Sequence, residues 1–181
     1  SRYTTSAHDG KCALVQTDGM NRYVCTTGRE DAKVRVWKYS DMKLEGEMDL
    51  GAPALHGTGY LHKTAELFAV ALQDGTIRLF DIGTKKRVRT FRLNKEKSNQ
   101  DGGDEKDVDG SKKKKKKKKL VLATKVEITS DREWVISCDT LGMLKVFDIP
   151  SARLLQTMKM GSDRITSFAL SPTLELSLIH I

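Results

Sequence analysis

Three stretches of the chain repeat one pattern of turn, alternating strand and aromatic residue. They read "DAKVRVWKY" from residue 31, "DGTIRLFDI" from residue 74 and "LGMLKVFDI" from residue 141. In each, apolar residues alternate with basic ones before the aromatic residue, which is the period-two pattern of a half-buried β-strand. A second apolar run precedes each stretch and a weaker run follows it. The chain therefore repeats a unit of several short strands and is not an isolated hairpin.

The spacing of the aromatic residues sets the length of this unit. Trp37 and Phe80 are 43 residues apart, whereas Phe80 and Phe147 are 67 apart. Removing the 24 residues 95–118 makes the second interval 43 residues as well. A repeat of about 40–45 residues with four short strands is typical of a WD40 propeller blade. We predict an all-β WD40 β-propeller of about three blades plus the start of a fourth, an incomplete ring because closed propellers use about four to eight blades.

The repeat divides the chain into four predicted segments. Residues 1–94 form two blades, 95–119 are a low-complexity charged insertion that we expect to be disordered, 120–160 form the third blade, and 161–181 start a further blade. Because such an array is open, we expect a fragment of a longer protein. Two interpretations remain for the residues after about 176, a non-native tail and a short strand. The predicted strands span 12–16, 23–27, 33–39, 43–49, 54–60, 67–72, 76–81, 87–93, 121–128, 134–138, 143–148, 153–159 and 164–170.

Certain positions in each blade are predicted to be structural. An aspartate begins the turn six residues before the aromatic in two units, and Leu141 takes that place in the third. Aspartate suits such a turn because it bonds nearby backbone N–H groups. We expect the aromatic residues to fill the gap between blades, and His8 to stand nearest to the histidine that often precedes a blade. The predicted structural positions are Asp31, Trp37, Asp74, Phe80, Asp81, Phe147 and Asp148.

Most of the net charge of +8 lies in the insertion, where residues 95–119 hold eleven lysines and six acidic residues. Its lysine run could bind RNA phosphates or serve as a nuclear or nucleolar address. The alternative is a solvated loop whose charges are partly neutralised by the adjacent "DGGDEKDVDG". The candidate RNA-contact or targeting residues are Lys112, Lys113, Lys114, Lys115, Lys116, Lys117, Lys118 and Lys119.

Two further groups invite a functional interpretation. Arg35, Arg78 and Lys145 occupy equivalent strand positions. They form either a basic stripe that faces acidic protein or RNA, or the solvent face of a repeated strand, which we favour. Trp37 and Trp134 are predicted to lie in the blade core and not to act as exposed binding anchors.

The sequence argues against catalysis, metal binding and cofactor binding. His8, His56, His62 and His180 lack partners at metal-ligand spacing. No nucleophile elbow and no phosphate-binding glycine motif occurs. Three widely spaced cysteines indicate reduced thiols in an intracellular protein, and no apolar run is long enough to span a membrane. We therefore expect no enzyme, no metal, no cofactor, no small-molecule substrate and no membrane contact.

Several phrases resemble one family. "TDGMNRYVCTTGREDAKVRVWKYSDMKLEGEMDLGAP", "HKTAELFAVALQDGTIRLFDIGTKKRVRTFR" and "ITSDREWVISCDTLGMLKVFDIPSARLLQTMKMGSDRITSFALSPT" follow, in this order, the second propeller of the U3 small nucleolar RNA-associated protein 21 family. The resemblance covers about residues 8–174 apart from the insertion. The chain departs from the family pattern at this insertion and at Leu141.

The resemblance implies a non-catalytic scaffold in ribosome biogenesis. Such a protein has tandem propellers, lies in the nucleolus and belongs to the UTP-B subcomplex of the small-subunit processome. Its implied partners are other WD40 subunits and, as RNA, U3 snoRNA or pre-rRNA, and its implied role is U3 snoRNP assembly and 18S pre-rRNA processing. The alternative is a WD40 protein-interaction adaptor in another complex, such as a substrate receptor or signalling scaffold.

Overall fold

The computed structural model describes residues 6–94, 120–170 and 176–177, and within them all regular structure is β-strand. The strands are β1 (Cys12–Thr17), β2 (Tyr23–Gly28), β3 (Lys33–Lys38), β4 (Leu44–Asp49), β5 (Ala54–Leu61), β6 (Leu67–Leu72), β7 (Thr76–Asp81), β8 (Lys86–Arg92), β9 (Ala123–Ile128), β10 (Trp134–Asp139), β11 (Met143–Asp148), β12 (Leu154–Lys159), β13 (Ala169–Leu170) and β14 (Leu176–Ser177).

The strands follow from the side-chain pattern. In β3, Val34 and Val36 are fully buried and Arg35 between them is half-buried. The second strand of each blade, by contrast, is buried on both faces along nearly its whole length. A continuous short apolar run such as "LFAVAL" in β6 is what a strand between two packed layers requires.

The first twelve strands form three antiparallel sheets of four strands, each in simple sequence order. Among the first strands, β1 contacts β5 and β5 contacts β9, so they lie on the inner side of the array and the fourth strands lie outside. In all three sheets the pairing of the third and fourth strands shifts by a residue beside the aromatic position: at Trp37, Phe80 and Phe147. Each sheet is thus one blade, with a β-bulge at the same place.

The turns repeat as closely as the strands. A positive φ recurs in the first turn of each blade, in the second and in the third, although most of these residues are not glycine. Only in the second turn do two of the blades use glycine, which adopts this conformation without strain. The residues are Asn21, Ala65 and Arg132 in the first turn, Ala32, Gly75 and Gly142 in the second, and Met42, Lys85 and Ala152 in the third.

The hydrophobic cores lie between the sheets. Buried side chains of the first blade pack against Phe68 and Phe80 of the second. Phe91 of the second blade packs against Phe147 of the third, with ring centroids 5.3 Å apart. Phe168, which follows the third blade, packs against the face of that blade that is turned away from the second blade. The blades therefore share their cores, as radially stacked sheets of a propeller do.

The predicted fold class is confirmed, and strand bounds agree within about two residues for the first three blades. The expected strand at 164–170 is wrong in length, because only Ala169–Leu170 is a strand. A strand needs a hydrogen-bonding neighbour, and β14 pairs with β13 at two positions only. β14 is itself a short strand, at 176–177. The predicted insertion 95–119 lies outside the described residues.

Candidate interaction surface

A chain of hydrogen bonds crosses the first blade. The Trp37 indole N–H donates to the Thr26 hydroxyl over 2.9 Å, and Thr26 Oγ1 lies 2.7 Å from His8 Nε2. His8 Nδ1 is 2.9 Å from Asp31 Oδ2. With the proton on Nδ1, every group donates to the next and the chain ends on the carboxylate. Sequence reasoning named His8 only as the nearest equivalent of a blade histidine, and the structure places it, fully buried, within this network.

The network requires close backbone approach and a charged end. A Cβ at Gly28 would overlap the Asp31 carboxylate and His8, so glycine is required there. Burial alone would raise the pKa of Asp31, but the hydrogen bond from His8 and the N–H groups of Lys33 and Asp9 outweigh it. The pKa of Asp31 therefore lies below its usual value, and the carboxylate is ionised at neutral pH.

The other two blades lack this network. Val70 and Ser137 stand where the first blade has Thr26, each opposite the blade's basic residue on the third strand. The Ser137 hydroxyl is buried without a partner, because Phe147 has no N–H to donate where the first blade has Trp37. Where the first blade has Thr26 in this network, the second blade thus has an apolar side chain and the third blade a buried hydroxyl without a partner.

Arg35, Arg78 and Lys145, here called the junction cations, share one structural role. Each donates to the backbone carbonyl of a residue ahead of its own blade: Arg35 Nη1 to Ala7 at 2.6 Å, Arg78 Nη1 to Leu50, and Lys145 Nζ to Leu93 at 2.9 Å. Leu50 and Leu93 directly follow the outermost strands of the preceding blades. The junction cations therefore hold each blade to the connection that leads into it.

Each junction cation also has an acidic partner in its own blade. Arg35 lies 3.7 Å from Asp31, Arg78 lies 3.3 Å from Asp74, and Lys145 lies 2.7 Å from Asp139. Both interpretations of these cations, a basic stripe and a solvent face, are therefore wrong. Alternation on a strand predicts which face a side chain is on, but it does not reveal that the preceding connection lies against that face.

The third blade moves its acidic residue by two positions. Asp139, fully buried, accepts the backbone N–H groups of Leu141 and Met143 and pairs with Lys145. It therefore does what the turn aspartates Asp31 and Asp74 do in the other blades. Leu141, which occupies the aligned position, is released from the turn network and is 41% exposed.

The two predicted aspartates that follow the aromatic residues cap turns. Asp81 Oδ1 accepts the N–H of Thr84 over 2.8 Å, and Asp148 Oδ2 accepts the N–H and hydroxyl of Ser151. Both carboxylates thus fix the turn to the fourth strand. Trp134, expected in the core, is 36% exposed because it begins β10 at the end of the sheet, opposite Asp148. Trp37 is buried.

A groove of about 660 Å³ lies between the second and third blades, on the outer side. The floor is apolar and includes Leu93, Met143 and Phe147, and Leu141 and Leu154 stand at its opening. We call this the outer groove. The matching space between the first two blades is smaller, about 370 Å³, and its lining mixes acidic and basic side chains.

The ends of the insertion meet beside the outer groove. The backbone N–H of Val121 donates to the Asn94 side chain over 3.2 Å, and both residues line the groove. The chain therefore leaves and re-enters the propeller at one point. The lysine run, Lys112 to Lys119, lies outside the described residues.

A second polar junction joins the second and third blades. His62 is buried, with Nδ1 2.8 Å from the Thr64 hydroxyl. Burial lowers the pKa of His62 below its usual value, and the nearby charges of Arg132 and Lys63 lower it further. Arg132 also forms an ion pair with Glu66 across the two blades.

Within residues 6–94, 120–170 and 176–177, no three His, Cys, Asp or Glu side chains are grouped closely enough to hold a metal ion. Burial raises the pKa of both Cys25 and Cys138 to about 12, so these thiols stay protonated. Cys12 is exposed and free. The described part of the chain contains no helix with the length and apolarity of a membrane span.

Known proteins resemble the chain in sequence and in fold. WD repeat-containing protein 36 from Homo sapiens is 24% identical over 167 residues, which are 92% of this chain and 15% of that protein. The U3 small nucleolar RNA-associated protein 21 homolog from Schizosaccharomyces pombe is 23% identical over 159 residues, 88% of this chain and 14% of that protein. The chain thus spans about a seventh of the length of these relatives. No family model matches it.

Among solved structures, the Cps50 (Swd1) β-propeller domain of Myceliophteria thermophila superposes with a TM-score of 0.67. The match covers 93% of this chain and 50% of that one at 18% identity, so it concerns the fold alone. Together with three sheets that share their cores, the likenesses confirm both the fold and the predicted resemblance. The described residues form three blades of a WD40 β-propeller, and the chain is similar in sequence to WD repeat-containing protein 36 and to the U3 small nucleolar RNA-associated protein 21 homolog.

Proposed function

We propose that the protein is a non-catalytic scaffold in ribosome biogenesis that supports assembly of the U3 snoRNP and the small-subunit processome, and thereby 18S pre-rRNA processing. The observation that carries this proposal is the likeness to the U3 small nucleolar RNA-associated protein 21 homolog, which extends over 88% of the chain. That relative's name associates it with U3 small nucleolar RNA. The whole protein's partners and location are proposed by analogy with it.

The geometry suits a scaffold. Blades that share cores and whose connections are held by the junction cations form a rigid body. A rigid body with several surfaces can hold partners at fixed separations and so raise their effective concentration without chemistry. The proposed partners are other WD40 subunits of the particle together with U3 snoRNA or pre-rRNA, and the proposed location is the nucleolus.

Sedimentation and depletion test this proposal. The full-length protein, carrying an affinity tag, is expected to co-sediment with pre-rRNA particles and to concentrate in the nucleolus. Its depletion is expected to slow 18S rRNA maturation. Normal maturation after depletion, together with exclusion of the tagged protein from the nucleolus, would contradict the proposal and favour an adaptor in another complex.

The lysine run has a separate test within the same proposal. Replacing Lys112 to Lys119 by glutamine removes eight positive charges. If the run contacts RNA, the affinity for single-stranded RNA falls and depends less on salt. If it is an address, nucleolar accumulation is lost while RNA affinity is retained. No change in either measurement means that the run is a solvated loop.

A further inference from the structure

We propose that the outer groove binds an extended acidic peptide of a partner protein, anchored by one or two bulky apolar side chains. The inference rests on the scaffold role in the proposed function, but not on its RNA or its cellular location. It follows from three features of the groove, namely its apolar floor, the charge at its borders and the free edge of β12.

The opening of the outer groove is apolar at a position where the other two blades carry an acidic residue. Leu141 holds the position of Asp31 and Asp74, and Asp139 has taken over the acidic role in the third blade. Leu141 and Leu154 are 41% and 40% exposed at the opening. A volume of about 660 Å³ accommodates several side chains and lies in the range of protein ligand sites. An occupant that buries these leucines removes apolar area from water.

The borders of the groove are positively charged. Neither bordering strand, β8 or β12, carries an acidic residue, and among the described residues no Asp or Glu lines the groove. Arg89 donates to the carbonyls of Ile149 and Pro150, which are neutral acceptors, so its charge is not compensated by these contacts. Arg89 on β8 and Lys159 at the end of β12 supply this charge, whereas Arg87 lines the smaller groove between the first two blades and Lys145, which lines the outer groove, is paired with Asp139. Charge complementarity therefore favours an occupant with Asp or Glu.

The edge of β12 favours an extended occupant. Within the described part of the chain β12 pairs only with β11, so one row of its N–H and C=O groups is free. A peptide strand can add to such an edge through backbone hydrogen bonds while its side chains enter adjacent pockets. Leu154 at the start of β12 places the apolar opening beside this edge.

The lining favours a peptide over RNA. Single-stranded RNA is held by cations together with exposed aromatic rings on which bases stack. The aromatic residue that lines the outer groove, Phe147, is only 2% exposed and packs on Phe91. Aliphatic side chains form the rest of the apolar lining, and they suit Leu, Ile or Met better than a base.

Peptide selection on the full-length protein tests the proposal. A phage library of random nine-residue peptides is selected on the protein, and enriched peptides are synthesised with a fluorophore for polarisation measurements. We expect peptides that place Leu, Ile, Met or Phe beside Asp or Glu, with affinity that falls as salt rises. L141D is expected to weaken binding about tenfold or more, because it replaces an apolar anchor by a repulsive charge.

The variants are chosen so that loss of folding does not imitate loss of binding. L141D introduces the residue that two other blades carry at this turn, so the fold is expected to persist, which circular dichroism checks. M20D is the matched control, since Met20 is 64% exposed in the first blade and does not line the groove. M20D is expected to bind the peptides as the natural protein does.

Four results would overturn the proposal. Two concern the selection: a library that yields no enriched peptides, and enriched peptides that lack acidic residues. The other two concern L141D: peptide affinity equal to that of the natural protein, and a uridine 20-mer that binds the natural protein in place of peptide and binds L141D more weakly. A fifth result against it would be a rise in peptide affinity when residues 95–118 are removed, because the insertion of the chain itself would then compete for the groove in place of a partner. Absence of the protein from pre-rRNA particles would contradict the proposed function and leave the peptide result unaffected.

Discussion

At the scale of single residues, the first blade depends on a histidine that precedes its own first strand. His8 links Asp31 to Thr26 and, through Thr26, to Trp37. All four side chains are more than nine-tenths buried, and the hydrogen bonds that join Trp37, Thr26 and His8 are buried. Removing one member therefore costs more than the hydrogen bond itself, because it leaves the others without partners.

His8→Ala is expected to lower the free energy of unfolding by about 1–3 kcal/mol, since Thr26 and Asp31 lose a buried partner. Urea unfolding followed by circular dichroism measures the change. His56→Ala is the matched control, because His56 is exposed and a surface substitution changes stability by about 0.5 kcal/mol or less. Equal effects of the two substitutions would show that the network contributes nothing.

His62 predicts a pH dependence of stability. Its pKa is lowered in the folded state by burial and by the charges of Arg132 and Lys63, so the unfolded chain binds the proton more readily. Stability is therefore complete above pH 6.5, the usual histidine value, and falls as the pH drops from there towards the lower folded pKa. Urea midpoints between pH 8 and pH 5 measure this loss.

His62→Asn isolates that contribution. The amide cannot take up a proton, so the decrease in stability between pH 8 and pH 5 is expected to shrink. His56→Asn should retain the full decrease. An identical pH profile for the natural protein and His62→Asn would contradict this account of the junction between the second and third blades.

At the scale of elements, the sequence allowed the strands to be predicted but not their partners. The 43-residue spacing and the alternation predict twelve strands within about two residues, because period and burial are local properties. The alternation could not reveal that Arg35 reaches the carbonyl of Ala7, 28 residues away, since that contact depends on how the chain packs. In the third blade the sequence showed only that Leu141 stands where the other blades have aspartate. That Asp139 takes the role of this aspartate could be seen only in the structure.

Lys145→Met tests the junction of the third blade. It leaves the Asp139 carboxylate buried and without its cation, and breaking such a pair typically costs about 3–5 kcal/mol. The double variant Asp139→Asn with Lys145→Met is expected to recover part of this loss, because it leaves no uncompensated buried charge. Urea unfolding compares the two, and an undiminished loss in the double variant would contradict the ion-pair explanation.

Excision of residues 95–118 is expected to leave the fold intact. Asn94 and Val121 are hydrogen-bonded, so the two ends already meet and a short connection can join them. The blades before and after the insertion share a core that includes Phe91 and Phe147. Circular dichroism and the unfolding midpoint should match those of the natural chain, and a lowered midpoint would show that the insertion supports the blades.

At the scale of the whole molecule, stability is shared among blades because no sheet has a core of its own. The first cluster joins the first and second blades, and the second cluster joins the second and third. The second blade therefore contacts both neighbours through its two faces. We infer that the three blades unfold together, since loss of the middle one exposes apolar surface on both others.

The two tryptophans report on the outer blades, Trp37 on the first and Trp134 on the third. Trp37→Phe and Trp134→Phe each leave one fluorescent reporter, and each retained tryptophan is expected to give the midpoint that circular dichroism gives for the same variant. Adding Phe91→Ala should lower both midpoints, by a change worth about 3–5 kcal/mol. If the midpoint reported by Trp37 in the first blade did not change with this substitution, the blades would unfold separately.

Two contacts fix the point where the insertion leaves and re-enters the propeller: Asn94 is hydrogen-bonded to Val121, and Lys145 is hydrogen-bonded to Leu93. This bears on how the sequence can change in evolution. Segments gained or lost between these anchors need not disturb the surrounding sheets. This corner of the molecule can therefore acquire new recognition sequences while selection on folding acts elsewhere.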